Sequence, residues 1–234
     1  MNYEEKLLIQ LCKGEKAENL NYSEIDWTNL IVQATMHKVL GLLHLRFRYD
    51  HKSPKWFRKI MEYSYYTQKD MGQREFTEYQ HVLSNLEKGG VTAIVLKGMY
   101  LAPYIYKDFG IRRFHDMDIL IAENEREKAI SIIEKTGYVQ GEYNEKKDEL
   151  VLATEDSIEE GHATLQHEVG FIKVNKETAI PIVYMIELHT HMETIYDETR
   201  WNIQELFERK VQYTFNNSFA YRLSNEDMLI HLCY

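Results

Sequence analysis

Asp116 and Asp118, separated by one residue in the run RRFHDMDILI, are the side chains of this sequence whose type and spacing point most directly to chemistry. Residues two apart on a strand share a face, so the pair would present two carboxylates together while Met117 turns away. Hard oxygen donors at a strand end suit Mg2+ (or Mn2+), which keeps several waters and takes further ligands from phosphates. Glu187, in IPIVYMIELHT, supplies a third carboxylate. Such a set can hold two metal ions, one positioning an attacking hydroxyl and the other neutralising leaving phosphates. Upstream, Lys97-Gly98 follows an apolar run, where a glycine lets phosphate approach the backbone and a following helix offers its amides. Arg112 and Arg113 stand just before the aspartates, and guanidinium favours bidentate phosphate contacts. A different chemistry is also written here. Glu187, His189 and His191 alternate, so a zinc or manganese hydrolase built on one strand face is a rival reading, with His115 and His167 as further candidates to line a pocket.

The elements that must position these groups are read from periodicity. The first ninety residues predict helices. Ser23 followed by Asp26 reads as a helix start, and Ser53-Pro54 opens a long helix that runs to Gly89-Gly90. Its aromatic-rich stripe, Trp56, Ile60, Tyr63, Tyr66, Phe76, Tyr79, Val82, Leu83 and Leu86, is expected to be core, with Gly72 marking a kink. Val91 to Leu96 is a short, β-branched, buried strand. Met99 to Lys107 returns to helical spacing, and Ile119 to Ile121 completes a second strand. Glu123 to Thr136 is an amphipathic helix stopped by Gly137, and Ile180 to Thr190 is a third strong strand. Between them, Tyr138 to Asn175 is expected to hold strands and an acidic insertion. Helices resume near Arg200 and again at Ser224. The expected class is α+β: a small mixed β-sheet core over residues 89–200, an N-terminal helical region over 1–88 and C-terminal helices over 201–234. The last helix meets no stop signal before Tyr234, so the chain is expected to be part of a longer protein.

Composition narrows the partners. A chain of 234 residues with 44% hydrophobic residues can bury a substantial core. Met1 to Gly14 does not read as a signal peptide, and no apolar run approaches the ~20 residues that span a bilayer, so a cytoplasmic protein without membrane contact is expected. Cys12 and Cys233 have no metal-type spacing and are expected to be reduced, structural residues. Gly141 to Arg200 holds 14 acidic and 5 basic residues, which accounts for the whole net charge of −9. Because phosphate neutralisation drives non-specific binding of polynucleotides, long nucleic acid is a poor partner for this chain.

From Val95 to Tyr138 the order is LKG, an aromatic-bearing helix, a loop with arginine, DMDILI, a helix and GY. With His167, the IELH at Ile186 to His189 and the closing SNEDMLIHLC, this resembles an uncharacterised bacterial nucleotidyltransferase-like family of the polymerase β nucleotidyltransferase superfamily. The resemblance implies an NTP, with ATP the first candidate, bound through Mg2+, and transfer of a nucleotidyl group with release of pyrophosphate. It matches Asp116 and Asp118 to the first carboxylate pair, Glu187 to the third carboxylate and Gly98 to the first-motif glycine. Where well-characterised members follow that glycine with serine, this chain has Met99, which leaves Lys97 to supply the phosphate contact. The acidic segment favours a small-molecule or protein acceptor. A catalytically silent nucleotide-binding or antitoxin-like interaction module is the alternative.

Overall fold

The computed structural model describes residues 2–15, 20–144, 146–165, 169–177, 181–192, 201–215 and 218–233; His167 lies outside them. The chain divides into two compact units, Met1–Arg74 with Leu101–Arg113, and Glu75–Tyr100 with Phe114–Tyr234.

The first unit is helical. Helix α1 (Tyr3–Cys12) begins with a capping box in which Asn2 and Glu5 satisfy each other's backbone amides. Helix α2 (Trp27–Met36) is capped by Asp26, whose carboxylate accepts from the amides of Thr28 and Asn29. Helix α3 (Leu40–Phe47) and the first part of α4 (Lys55–Lys88) complete the bundle. Its core gathers Leu7, Leu30, Leu43, Phe47, Phe57 and Met61, with Trp27 edge-on to both phenylalanines. This corrects the expected stripe on α4. Trp56, Ile60, Tyr63 and Tyr66 are exposed, and the buried positions are Phe57, Met61 and Tyr65. Aromatic and aliphatic residues stand on both the buried and the exposed sides of this first part of the helix, so hydrophobicity alone did not set its rotation; the partner helices did. Gly72 sits within an unbroken helix, where a Cβ would come 2.9 Å from that of Phe109. The glycine permits close packing rather than a kink.

The second unit is built on an eight-stranded mixed sheet in the order β4-β3-β5-β6-β2-β1-β8-β7. The strands are β1 (Ile94–Val95), β2 (Asp116–Leu120), β3 (Val139–Asn144), β4 (Glu149–Leu152), β5 (Phe171–Asn175), β6 (Ile182–His189), β7 (Val211–Phe215) and β8 (Ser218–Arg222). Two pairings are parallel, β2 with β6 and β1 with β8; the others are antiparallel. The expected α+β class is therefore observed. The stretch expected as C-terminal helices also holds β7 and β8, between α8 (Ile203–Glu208) and α9 (Asn225–Cys233). Short α5 (Lys97–Tyr100) passes into a π-helical turn, Leu101–Tyr106, and α7 (Glu155–Leu165) lies in the acidic segment.

Alternation divides the sheet into two faces. Met117, Ile119, Ile186, Leu188 and Phe171 are fully buried on one face. Behind them lie the last part of α4 and α6 (Arg126–Lys135), which contribute Phe76, Tyr79, Val82, Leu86, Ala129 and Ile133 to the core. Lys173 ties this layer together, reaching Glu78 at 2.7 Å and the carbonyl of Thr136 at 3.1 Å. The opposite face carries Asp116, Asp118, Glu187 and His189.

Candidate functional site

Two adjacent parallel strands bring the acidic residues together. The register of β2 on β6 sets Asp116 beside Met185, Asp118 beside Glu187 and Leu120 beside His189. Paired residues on neighbouring strands point to the same side, so Asp116, Asp118, Glu187 and His189 share one face. The two strands are pinned from behind by Tyr79 on α4. Its hydroxyl donates to the His115 carbonyl at 3.0 Å and accepts from the Met185 amide at 3.1 Å. One buried phenol thus locks the backbone next to Asp116 on β2 to the backbone two residues before Glu187 on β6.

Asp118 is the centre of the cluster and is buried. Its Oδ1 accepts a hydrogen bond from Lys97 Nζ at 2.8 Å and lies 3.3 Å from His189 Nε2, which is 3.7 Å from Glu187 Oε2. Burial by itself would favour the neutral acid. The His189 hydrogen bond and the Lys97 charge outweigh it and hold the Asp118 carboxyl well below the ordinary range. The same contacts raise both partners. Burial opposes the charge on Lys97 and His189, but Asp118 outweighs it in each case, with Glu187 adding to the effect on His189. Asp116 moves the other way: burial, then the charges of Asp118 and Glu187, push it up.

Lys97 reaches Asp118 from an unusual backbone. Its φ is +41°, in the left-handed region that a residue with a Cβ enters at a cost. Gly98 next to it is buried against Phe114, and a Cβ there would stand 2.5 Å from that of Phe114. The glycine expected to admit phosphate is thus also required by packing on its Cβ side. Met99 is fully buried in the core. Arg112 and Arg113 belong to the helical unit, where both are half-buried.

Asp118, Glu187 and His189 each offer a ligand atom within 4.8 Å of the others. Two carboxylates and an imidazole fit a divalent cation with oxygen-rich ligation. Asp116 stands one alternate position back on the same face, outside that grouping, and His191 lies past the end of β6, its Nδ1 3.0 Å from Thr190 Oγ1. The histidine expected to serve a rival hydrolase therefore joins the carboxylates themselves.

Sequence reasoning missed His231. It sits on α9, and burial and then the charge of nearby Lys97 lower its pKa to about 4, while Asp118 pulls weakly the other way. Its Nε2 is buried without a hydrogen-bond partner among the described residues. The only sequence signal was an ionisable residue within the apolar run Met228 to Cys233 of that helix. Cys12 and Cys233 are both free and exposed, so neither is the packed structural residue expected.

Beside the carboxylates a cavity of about 530 Å3 opens over β6, β5 and β3, with Glu187 and His115 in its lining. No helix among the described residues is long and apolar enough to cross a membrane.

A family model described as an uncharacterised nucleotidyltransferase matches residues 23–234 of the chain. Searches of curated proteins and of solved structures returned no match.

Proposed function

We propose that this chain, which belongs to that uncharacterised nucleotidyltransferase family, moves an NMP group from an NTP, with ATP the first candidate, to a hydroxyl of a small molecule or protein. The observation that carries the reading is the register of Asp118 against Glu187 on parallel strands, with Lys97 seated on Asp118. Asp116, Asp118, Glu187 and His189 are the residues that would hold a divalent cation, Mg2+ or Mn2+. When bound, it supplies charge neutralisation of the phosphates and lowers the pKa of a coordinated hydroxyl.

The chain's own residues do the rest by placement. The acceptor oxygen attacks the α-phosphorus in line, forming the new P–O bond as the bond to the β-phosphate bridging oxygen breaks. The electron pair leaves with pyrophosphate, and the acceptor proton passes to a carboxylate of the set. Lys97 is the cation best placed to follow the developing negative charge, since its ammonium already meets Asp118 on the carboxylate face. Arg112 and Arg113 are proposed as further phosphate contacts, and Gly98 as backbone that a phosphate can approach.

A second reading, a nucleotide-binding module without turnover, is favoured by one observation: Met99 is in the core and offers no hydroxyl to phosphate. Calorimetry with MgATP and the other nucleotides, on native protein and on Asp118→Asn, separates the two readings when paired with a pyrophosphate-release assay. Binding lost in Asp118→Asn together with pyrophosphate release supports transfer. Binding without release across a broad acceptor panel supports the silent module. No binding of any nucleotide overturns both.

A further inference from the structure

The cavity beside Glu187 lies on the carboxylate face and is made of the strands that continue it. Outward from β2, the row holding Glu187 and Met185 on β6 is followed by Gly170 and Ile172 beside β5, and then by Gly141 and Tyr143 on β3. Two of these positions are bare. The Gly141 amide donates to the Gly170 carbonyl at 3.0 Å, so the two glycines are neighbours and leave backbone as the floor beside Glu187. The reasons differ. A Cβ on Gly141 would strike the Val151 carbonyl oxygen at 2.2 Å, so pairing with β4 requires glycine there. A Cβ on Gly170 would meet only Met185 Cγ, at 4.0 Å, an ordinary contact. Strand packing therefore does not demand glycine at 170, and the missing side chain is space kept open within reach of the carboxylates.

The chemistry of the walls restricts what enters. Ile172, Val183 and Met185 form an apolar bed, the Tyr143 hydroxyl is engaged with the Asp148 carboxylate, and Glu142 and Glu187 bring negative charge. No lysine or arginine is among the described lining residues. A volume of about 530 Å3 suits a small molecule, whereas a phosphorylated or polynucleotide acceptor would set its charge against the Glu142 carboxylate, with no lysine or arginine among the described lining residues to receive it.

We infer that this cavity is the acceptor site, and that the acceptor is a compact, neutral or cationic hydroxyl compound with an apolar body, its hydroxyl presented at the Glu187 end. This rests on the nucleotidyltransferase reading for the reaction but not for the binding.

Ligand-observed saturation-transfer NMR tests it with a defined panel: tyramine, choline and glucosamine against glucose 6-phosphate and oligouridylate. The first group should give the stronger saturation transfer, competed by its own members and unaffected by MgATP. Gly170→Leu projects a side chain into the cavity and should weaken that binding about tenfold or more while leaving the MgATP affinity within twofold. Glu142→Lys, an exposed change that spares the fold, should shift preference toward the phosphorylated probe. Failure of the neutral and cationic probes to bind, preference for the anionic ones in the native protein, or unchanged binding in both variants overturns the inference. Loss of MgATP binding with the probe pattern intact overturns the nucleotidyl reaction instead and leaves the cavity assignment standing.

Discussion

Asp118 and Glu187 lie side by side as register partners on parallel strands, although α6, β3, β4, α7 and β5 intervene between them in the chain. Lys97 and His189 converge on the same Asp118 oxygen. Removing that oxygen's charge should therefore disturb more than one contact. Asp118→Asn is expected to reduce pyrophosphate release by about a hundredfold or more, the scale of losing a group that acts on developing charge. Isosteric replacement keeps the strand pairing, so the circular dichroism spectrum should be unchanged.

Lys97 separates a conformational from a chemical role. At φ +41° a Cβ is disfavoured, so Lys97→Gly should be more stable than Lys97→Ala by about 1 kcal/mol in chemical denaturation. Both variants lose the ammonium and should lose nucleotide affinity alike. If Lys97→Ala is the more stable of the two, the left-handed backbone is not a constraint at this position.

Tyr79→Phe tests the pin behind the site. The change removes one bond donated to His115 and one accepted from Met185 while keeping the buried ring. It should cost about 1–3 kcal/mol, since both backbone partners are left without it in a buried setting. Catalysis should fall further than nucleotide affinity, because the two strand backbones whose register sets Asp118 against Glu187 are freed. Equal loss of kcat and binding would point to general destabilisation.

His231 predicts an acid-sensitive fold. Its folded-state pKa, pushed down to about 4, lies below the ordinary imidazole value, so the unfolded chain binds the extra proton first. The contribution to stability is present above about pH 6.5 and is lost as pH falls toward 4. His189 has the opposite sign: its raised pKa stabilises at low pH and fades as pH rises through the folded value. The difference between native protein and His231→Leu, measured by denaturation from pH 4 to 8, isolates the first effect. The native protein should lose more stability than the variant on acidification.

Much of the sheet unit was legible because its signals are local. Alternation in Ile182 to His189, the stop at Gly137 and the DMD spacing are properties of a few consecutive residues, and each became the expected element. The stripe on α4 was legible only in its later part, where Phe76, Tyr79, Val82 and Leu86 are buried. Earlier in that helix, Trp56 and Phe57 are both aromatic neighbours, and nothing local chooses between them.

The amino-acid order determined which residues alternate on one strand face, and so which carboxylates could ever point together. It did not determine which strands are neighbours. Strand pairing is a non-local choice, set by which apolar faces can be buried against α4 and α6, and it is this choice that put β6 beside β2 and Asp118 beside Glu187. Tertiary structure also moved His189 from a rival reading into the carboxylate cluster, brought His231 near it from the last helix, and left Gly170 open beside Glu187. Periodicity reports what a residue can face; only the packed sheet decides what it meets.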